Sequence, residues 1–83
     1  MDHYLFLARS VTVAQRMRET LERAGIRGLI QRAPTGLSLQ GCSYAVRVGK
    51  AHYHKALSLI QTLGLSPFGV FVYESGSYRE VKV

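Results

Sequence analysis

Hydrophobic residues along this 83-residue sequence recur with two different periods, and the two periods alternate in a fixed order. Four segments are continuously apolar or alternate between apolar and polar residues, which is typical of β-strands. Two longer segments place their apolar residues three or four positions apart, on one face of a helix. The sequence therefore predicts strands at residues 3–8, 28–33, 43–48 and 68–74, and helices at residues 11–24 and 51–63.

The predicted order, strand-helix-strand-strand-helix-strand, is that of a ferredoxin-like split βαβ fold. This α+β fold (βαββαβ) has an antiparallel sheet that carries both helices on one face. Residues 78–83 alternate again after a Ser75-Gly76 turn, and they predict a short C-terminal edge strand. A chain of 83 residues is long enough for one domain, so residues 1–83 are expected to share a single core.

The connection between the second and third predicted strands contains turn-forming residues and the only cysteine of the sequence. Pro34 fixes its own backbone angle φ, and Gly41 can adopt backbone angles that other residues avoid. Cys42 follows directly, at the foot of the third strand, where a thiol on a loop would be accessible. A free cysteine in a small domain is also commonly a buried hydrophobic residue, so a structural role for Cys42 stays open at this point.

The predicted strand directions bring this connection to the same edge of the sheet as the start of the first helix. Ser10 and Thr12 are candidate caps there, and Thr12 with Gln15 has the spacing of a capping box. A helix N-terminus carries free N–H groups and a partial positive charge, which favour a thiolate. This proximity favours the interpretation of Cys42 as an accessible nucleophile.

Charge and cysteine content restrict the partners and the compartment. Eleven lysine and arginine residues against five acidic residues give a net charge of +6, but the basic residues form no run. Nucleic acid is therefore expected to bind only weakly and without sequence preference. A single cysteine cannot form an internal disulfide, which is typical of a reducing compartment. Neither a signal peptide nor a membrane-spanning apolar run is evident, so cytoplasmic localisation is expected.

No cofactor and no metal site are predicted. His52 and His54 lie in the first turn of the second helix, without Cys, Asp or Glu at ligand spacing. No acid–base pair, nucleophile triad or phosphate-binding loop is evident either, so independent catalysis is not expected.

Several of these features occur together in a known family. A strand that ends near a Ser/Thr turn, a helix that closes on Ala-Gly-Ile, and a Pro-containing loop that leads to Gly-Cys together resemble the selenium/sulfur carrier protein-like family of small bacterial proteins. The resemblance covers residues 4–73, and the matching positions are Ser10, Ala24, Gly25, Pro34, Gly41 and Cys42. Ser43 stands where the family often has a glycine.

The resemblance implies that Cys42 carries sulfur or selenium. The residues expected to support this thiol, on the loop and at the helix N-terminus, are Ser10, Thr12, Pro34, Gly41 and Ser43. A carrier thiolate attacks a donor persulfide, and the donor enzyme supplies the remaining chemistry. The expected partners are therefore a donor protein and an acceptor protein.

Two other functions are compatible with the same fold. An RNA-binding module would place paired aromatic residues on the first and third strands, and Tyr4 or Phe6 with Tyr44 imitates that arrangement. The residues before Tyr44 lack the basic and aromatic pattern of such a module, so this is the second hypothesis. A regulatory or assembly module with a structural cysteine is the third.

The predicted strands are apolar on both faces, whereas two helices can cover only one face of the sheet. Apolar side chains on the other face would then be left in water in a monomer. A homodimer that buries this face is therefore expected.

Overall fold

The computed structural model describes residues 2–34, 44–64 and 69–82. Within these ranges the chain forms five strands, two α-helices and one short 3-10 turn. In chain order they are β1 (His3–Ala8), α1 (Val11–Arg23), β2 (Gly28–Arg32), β3 (Tyr44–Gly49), the 3-10 turn (Lys50–His52), α2 (Tyr53–Thr62), β4 (Gly69–Glu74) and β5 (Ser77–Val81). The predicted class, an α+β fold with an antiparallel sheet and two helices, is confirmed.

The sheet has the strand order β2-β3-β1-β4-β5, and every neighbouring pair of strands is antiparallel. β1 lies in the middle and pairs with β3 on one side and with β4 on the other. A strand covered on both faces is apolar at consecutive positions, which accounts for the unbroken apolar run from Tyr4 to Ala8.

Both helices pack on the same face of the sheet, around one hydrophobic core. The fully buried core residues include Ala14, Met17 and Leu21 from α1, Ala56 and Ile60 from α2, and Phe6, Val46 and Val70 from the sheet. The helical periodicity of the sequence thus identified the buried side of each helix.

The ends of the helices follow local chemistry. α1 ends in a Schellman motif, because the N–H of Gly25 donates to the carbonyl of Glu22 at 3.0 Å and the N–H of Ile26 donates to that of Leu21 at 2.9 Å. Gly25 has φ of 79°, a left-handed conformation that favours glycine. α2 begins at Tyr53 instead of residue 51, because residues 50–52 form the tighter 3-10 turn first. Neither α-helix in the part of the chain that the structure describes has the length and apolar character of a membrane span.

The face of the sheet opposite the helices, called here the open face, has a second small core. Leu5, Leu7 and Ala45 are at most 1% exposed, and Phe71 and Tyr78 pack against them. The sequence predicts that apolar residues on this face are left in water in a single chain. At these three central positions that prediction is wrong, because the side chains are buried within the chain. Burial on both faces explains why the two phases of β1 are equally apolar.

Candidate functional site

The sequence places the candidate thiol, Cys42, in the connection between β2 and β3. Gly41, Cys42 and Ser43 all lie outside the residues that the structure describes. The remaining predicted site residues are described: Ser10 precedes α1, Thr12 lies in its first turn, and Pro34 is half-buried just after β2. The geometry of the site is therefore defined by the chain on either side of the connection.

The two ends of the β2–β3 connection lie beside the start of α1. Tyr44, the first residue of β3, pairs with Ala8 of β1 on one side and with Arg32 of β2 on the other. Ser10 follows Ala8 by two residues, and Cys42 precedes Tyr44 by two residues. We call this edge of the sheet the α1 edge. The strand directions predicted from the sequence place both chain segments here.

Ser10 caps α1. Its Oγ accepts a hydrogen bond from the backbone N–H of Val13 at 3.3 Å, and its backbone carbonyl accepts from Ala14 at 3.1 Å. Thr12 is an exposed residue inside the helix, so the predicted capping box of Thr12 with Gln15 is wrong. Two cap-forming residues two positions apart are equivalent in sequence, and the backbone conformation selects Ser10, which is extended at φ −143° and ψ 163°.

The α1 edge carries positive charge. The first turn of α1 contains no acidic residue, so its partial positive charge is not neutralised within the helix. Arg9 and Arg32 are exposed at this edge, and the Arg32 guanidinium lies 5.7 Å from the centroid of the Tyr44 ring. Because Tyr44 is two residues from Cys42, a cation is held close to the point where the cysteine-containing segment joins the sheet.

Two of the five acidic residues, Asp2 and Glu74, lie at the opposite end of the sheet. Lys50 Nζ lies 2.8 Å from Glu74 and 3.7 Å from Asp2, and Arg79 Nη2 donates to Glu74 at 2.8 Å. The hydrogen bond from Lys50, followed by that from Arg79, lowers the pKa of Glu74 below its ordinary range. The hydrogen bond to Glu74 likewise raises the pKa of Lys50. Among the described residues, the far end of the sheet thus combines carboxylates with cations.

The aromatic residues that imitate an RNA-binding platform lie on the helix-covered face. Tyr4 stacks on Tyr53 of α2 with ring centroids 4.0 Å apart, and Phe6 is fully buried. Tyr44 also packs against the helix-side core. Burial, and secondarily the neighbouring Tyr4, raises the pKa of Tyr53. These rings pack against the core on the helix-covered face and do not lie on the open face.

Sequence reasoning overlooked a cleft on the open face at the far end of the sheet. Arg27, Leu29, Arg47 and His52 are among its lining residues. In the sequence these residues belong to three separate segments, and only the pairing of Leu29 with Arg47 brings them together. The available signal was Arg47 on the open-face phase of β3, together with Arg27 directly before β2. No cluster of three His, Cys, Asp or Glu residues that could hold a metal occurs among the described residues.

The fold and the α1 edge define a small α+β protein with an antiparallel sheet, in which the segment that contains the single cysteine connects two strands whose ends lie at a positively charged edge. A comparison with protein families matched residues 3–72 to the family described as "Putative Se/S carrier protein-like", and the chain belongs to that family. The match extends from β1 into β4 and includes the whole β2–β3 connection. No curated protein and no solved structure matched the chain.

Proposed function

We propose that this protein carries sulfur or selenium as an adduct on Cys42, between a donor protein and an acceptor protein. The observation that carries the proposal is the family match, which spans most of the chain and includes its only cysteine. The positive α1 edge supports it, because positive charge near a thiol stabilises the thiolate that attacks a persulfide.

The proposed loading step is a thiol–persulfide exchange. The Cys42 thiolate attacks the terminal sulfur of a persulfide R–S–SH on the donor. A new S–S bond forms to Cys42, the S–S bond of the donor breaks, and the donor leaves as the thiolate R–S⁻. The step needs no external oxidant, because the sulfane sulfur is transferred at an unchanged oxidation level. Delivery is the same exchange with an acceptor thiolate attacking the terminal sulfur.

The protein itself would contribute the thiol and its surroundings, without catalysing a reaction of its own. Partners with acidic docking surfaces are favoured, because Arg9 and Arg32 are exposed at the edge where β2 ends and β3 begins. A reducing compartment such as the cytoplasm would keep the unloaded thiol available.

We also propose that the fold is ferredoxin-like. The chain order from β1 to β4 and the packing of both helices on one face support this assignment. β5 then adds a fifth strand beside β4.

We also propose a homodimer, but with a smaller interface than the sequence predicts. Leu5 and Leu7 are already buried within one chain, whereas Phe71, Tyr73 and Tyr78 are only partly buried on the β4–β5 half of the open face. Light scattering at micromolar concentration is expected to give the mass of a dimer. A monomer mass would remove the dimer and leave the carrier proposal untouched.

The carrier proposal is tested by loading the purified protein from a persulfide donor and measuring its mass under non-reducing conditions. Wild-type protein should gain one sulfur atom, mapped to Cys42 by peptide analysis. Cys42→Ser and Cys42→Ala should gain none, while their thermal unfolding matches that of the wild type. Wild-type protein that stays unmodified in the folded state, and reacts only after denaturation, would contradict the proposal. Loss of stability in both variants would instead indicate a structural cysteine.

A further inference from the structure

A cleft of about 270 Å³ opens on the open face, at the end of the sheet opposite the α1 edge. β1, β2 and β3 each contribute to it, because Gly49 pairs with His3 and Leu29 pairs with Arg47. His52, from the 3-10 turn after β3, completes one side. Gly49 is the last residue of β3 and Tyr44 is the first, so the cleft and the Cys42 segment lie at opposite ends of the same strand.

The cleft exists partly because position 49 carries no side chain. Gly49 has φ of −61° and ψ of 148°, an extended conformation that any residue adopts. A Cβ atom built there would approach only one neighbouring atom, the Cδ2 of His52, at an ordinary contact distance of 3.9 Å. Neither backbone conformation nor crowding therefore requires a glycine here. Its effect on the structure is to leave open space beside the His52 ring.

Two arginine residues, Arg27 and Arg47, line the cleft. Among the described residues, neither Arg27 nor Arg47 forms an ion pair with a carboxylate. Asp2 also lines the cleft, but its carboxylate lies 3.7 Å from Lys50. The cleft thus presents two cations against one carboxylate that is shared with a third cation. Arginine binds carboxylate and phosphate groups through paired, directional hydrogen bonds.

An apolar surface accompanies this charge. Leu29 is 45% exposed, which is unusual for a leucine in a strand of this protein, and it borders the cleft together with the bare backbone of Gly49. The volume is slightly below the range of about 300–1,000 Å³ that is typical of pockets for drug-sized ligands. The cleft therefore suits a compact ligand with one charged group and one apolar part.

We propose that this cleft binds a small organic anion. Arg27 and Arg47 hold its carboxylate or phosphate group, and its apolar part lies over Gly49 and against Leu29. This binding site is independent of the carrier role of Cys42, and it gives the protein a second ligand at the far end of the sheet.

The test is a titration of the full chain followed by backbone amide NMR, with phenyl phosphate and benzoate as probes and inorganic phosphate as the comparison. Saturable shifts are expected at Leu29, Arg47, Gly49 and His52, with tighter binding of one organic probe than of inorganic phosphate. Whichever organic probe binds more tightly shows whether the site prefers a phosphate or a carboxylate group. Two variants remove the site by different means: Arg47→Gln removes one guanidinium, and Gly49→Leu fills the space. Arg47→Gln is expected to weaken binding about tenfold or more, the loss typical of one charge-assisted hydrogen bond. Gly49→Leu is expected to weaken it to a similar extent, because its side chain occupies the space of the apolar part of the ligand.

A matched control accompanies these variants. Lys55→Gln removes the same charge from the exposed side of α2 and should change the affinity by about twofold at most. Equal weakening by Lys55→Gln and Arg47→Gln would overturn the proposal, because it would indicate attraction by net charge alone. If inorganic phosphate bound as tightly as the organic probes, the proposed contact of an apolar ligand part with Gly49 and Leu29 would be overturned. If these residues shifted only with an oligonucleotide and not with the small probes, the small-anion proposal would be overturned in favour of a nucleic-acid surface.

Discussion

Gly28 and Gly49 are glycines of neighbouring strands, yet the space around them differs. A Cβ at Gly28 would lie 3.0 Å from Val46 Cγ1 and 3.3 Å from Leu21 Cδ1, tighter than most Cβ contacts, so these neighbours would have to shift. Val46 and Leu21 are both fully buried, so neither can move aside freely. Gly28 therefore allows β2 to approach α1, whereas Gly49 only leaves space open.

This difference predicts opposite outcomes for one substitution. Gly28→Ala should lower the free energy of unfolding by about 1–3 kcal/mol, because it overpacks the core. Gly49→Ala should change it by about 0.5 kcal/mol or less. Urea unfolding of both variants measures the two values. Similar stabilities of the two variants would contradict the close approach of β2 to α1.

The contribution of Glu74 to the free energy of unfolding depends on pH. Its pKa is lowered in the folded state by Lys50 and then by Arg79, so folding favours the ionised carboxylate. This contribution is complete above the ordinary value of 4.5 and is lost as the pH falls through the lower folded-state pKa. It is modest, because all three side chains are substantially exposed.

Replacing Glu74 with Gln should therefore destabilise the protein at neutral pH and have little effect at a pH below the folded-state pKa. Thermal unfolding of the wild type and of Glu74→Gln, compared from pH 7 to pH 3, measures the difference. The two melting temperatures are expected to converge as the pH falls through the acid range. A constant difference over the whole range would mean that Glu74 acts through packing or neutral hydrogen bonds.

At the scale of single elements, the start of α1 depends on one side chain. Ser10→Ala removes the acceptor for the Val13 N–H and should cost about 1 kcal/mol of stability. Thr12→Ala, two residues later on an exposed helical position, should cost a few tenths of a kcal/mol at most. Chemical unfolding of both variants compares them directly. A larger loss from Thr12→Ala would restore the capping box that the sequence predicts.

The elements themselves were predictable because each has a strong periodic pattern. β1 was predicted at residues 3–8 and is observed at His3–Ala8, since a central strand is apolar throughout. The helix cap was ambiguous, because Ser10 and Thr12 have the same chemistry and only backbone geometry distinguishes them. The small core of the open face was not predictable either. Burial of Leu5 and Leu7 there depends on contacts with Phe71 and Tyr78, which are distant in sequence.

The α1 edge could be predicted from the sequence, whereas the cleft near Gly49 could not. Strand direction follows from the order of elements, so the positions of Ser10 and of the β2–β3 connection at one edge could be deduced from sequence. The cleft near Gly49 depends on the register that pairs Leu29 with Arg47 and His3 with Gly49. A change of one residue in register would reverse the face on which these side chains lie. Pattern alone does not fix that register.

At the scale of the whole molecule, charge is distributed unevenly along the strands. Asp2 and Glu74 lie at the end remote from the α1 edge, and the other three acidic residues lie along α1 and β5. The α1 edge has Arg9, Arg32 and the helix N-terminus. The positive charge at this edge predicts that the Cys42 thiol ionises more readily than an ordinary cysteine, because positive charge favours the thiolate.

Arg32 provides the test of this prediction. Its strand partner Tyr44 is two residues from Cys42. Paired Cα atoms are about 5 Å apart and two residues span at most about 7 Å, so the Cα atoms of Arg32 and Cys42 lie within about 13 Å, less than two screening lengths of about 8 Å at physiological salt. Arg32→Gln should therefore raise the thiol pKa and slow alkylation of Cys42 at neutral pH about threefold. Arg23→Gln removes the same charge at the other end of α1 and should leave the rate unchanged. Alkylation rates measured against pH, at low and high salt, separate the two variants. An equal effect of both would mean that net charge alone acts on the thiol.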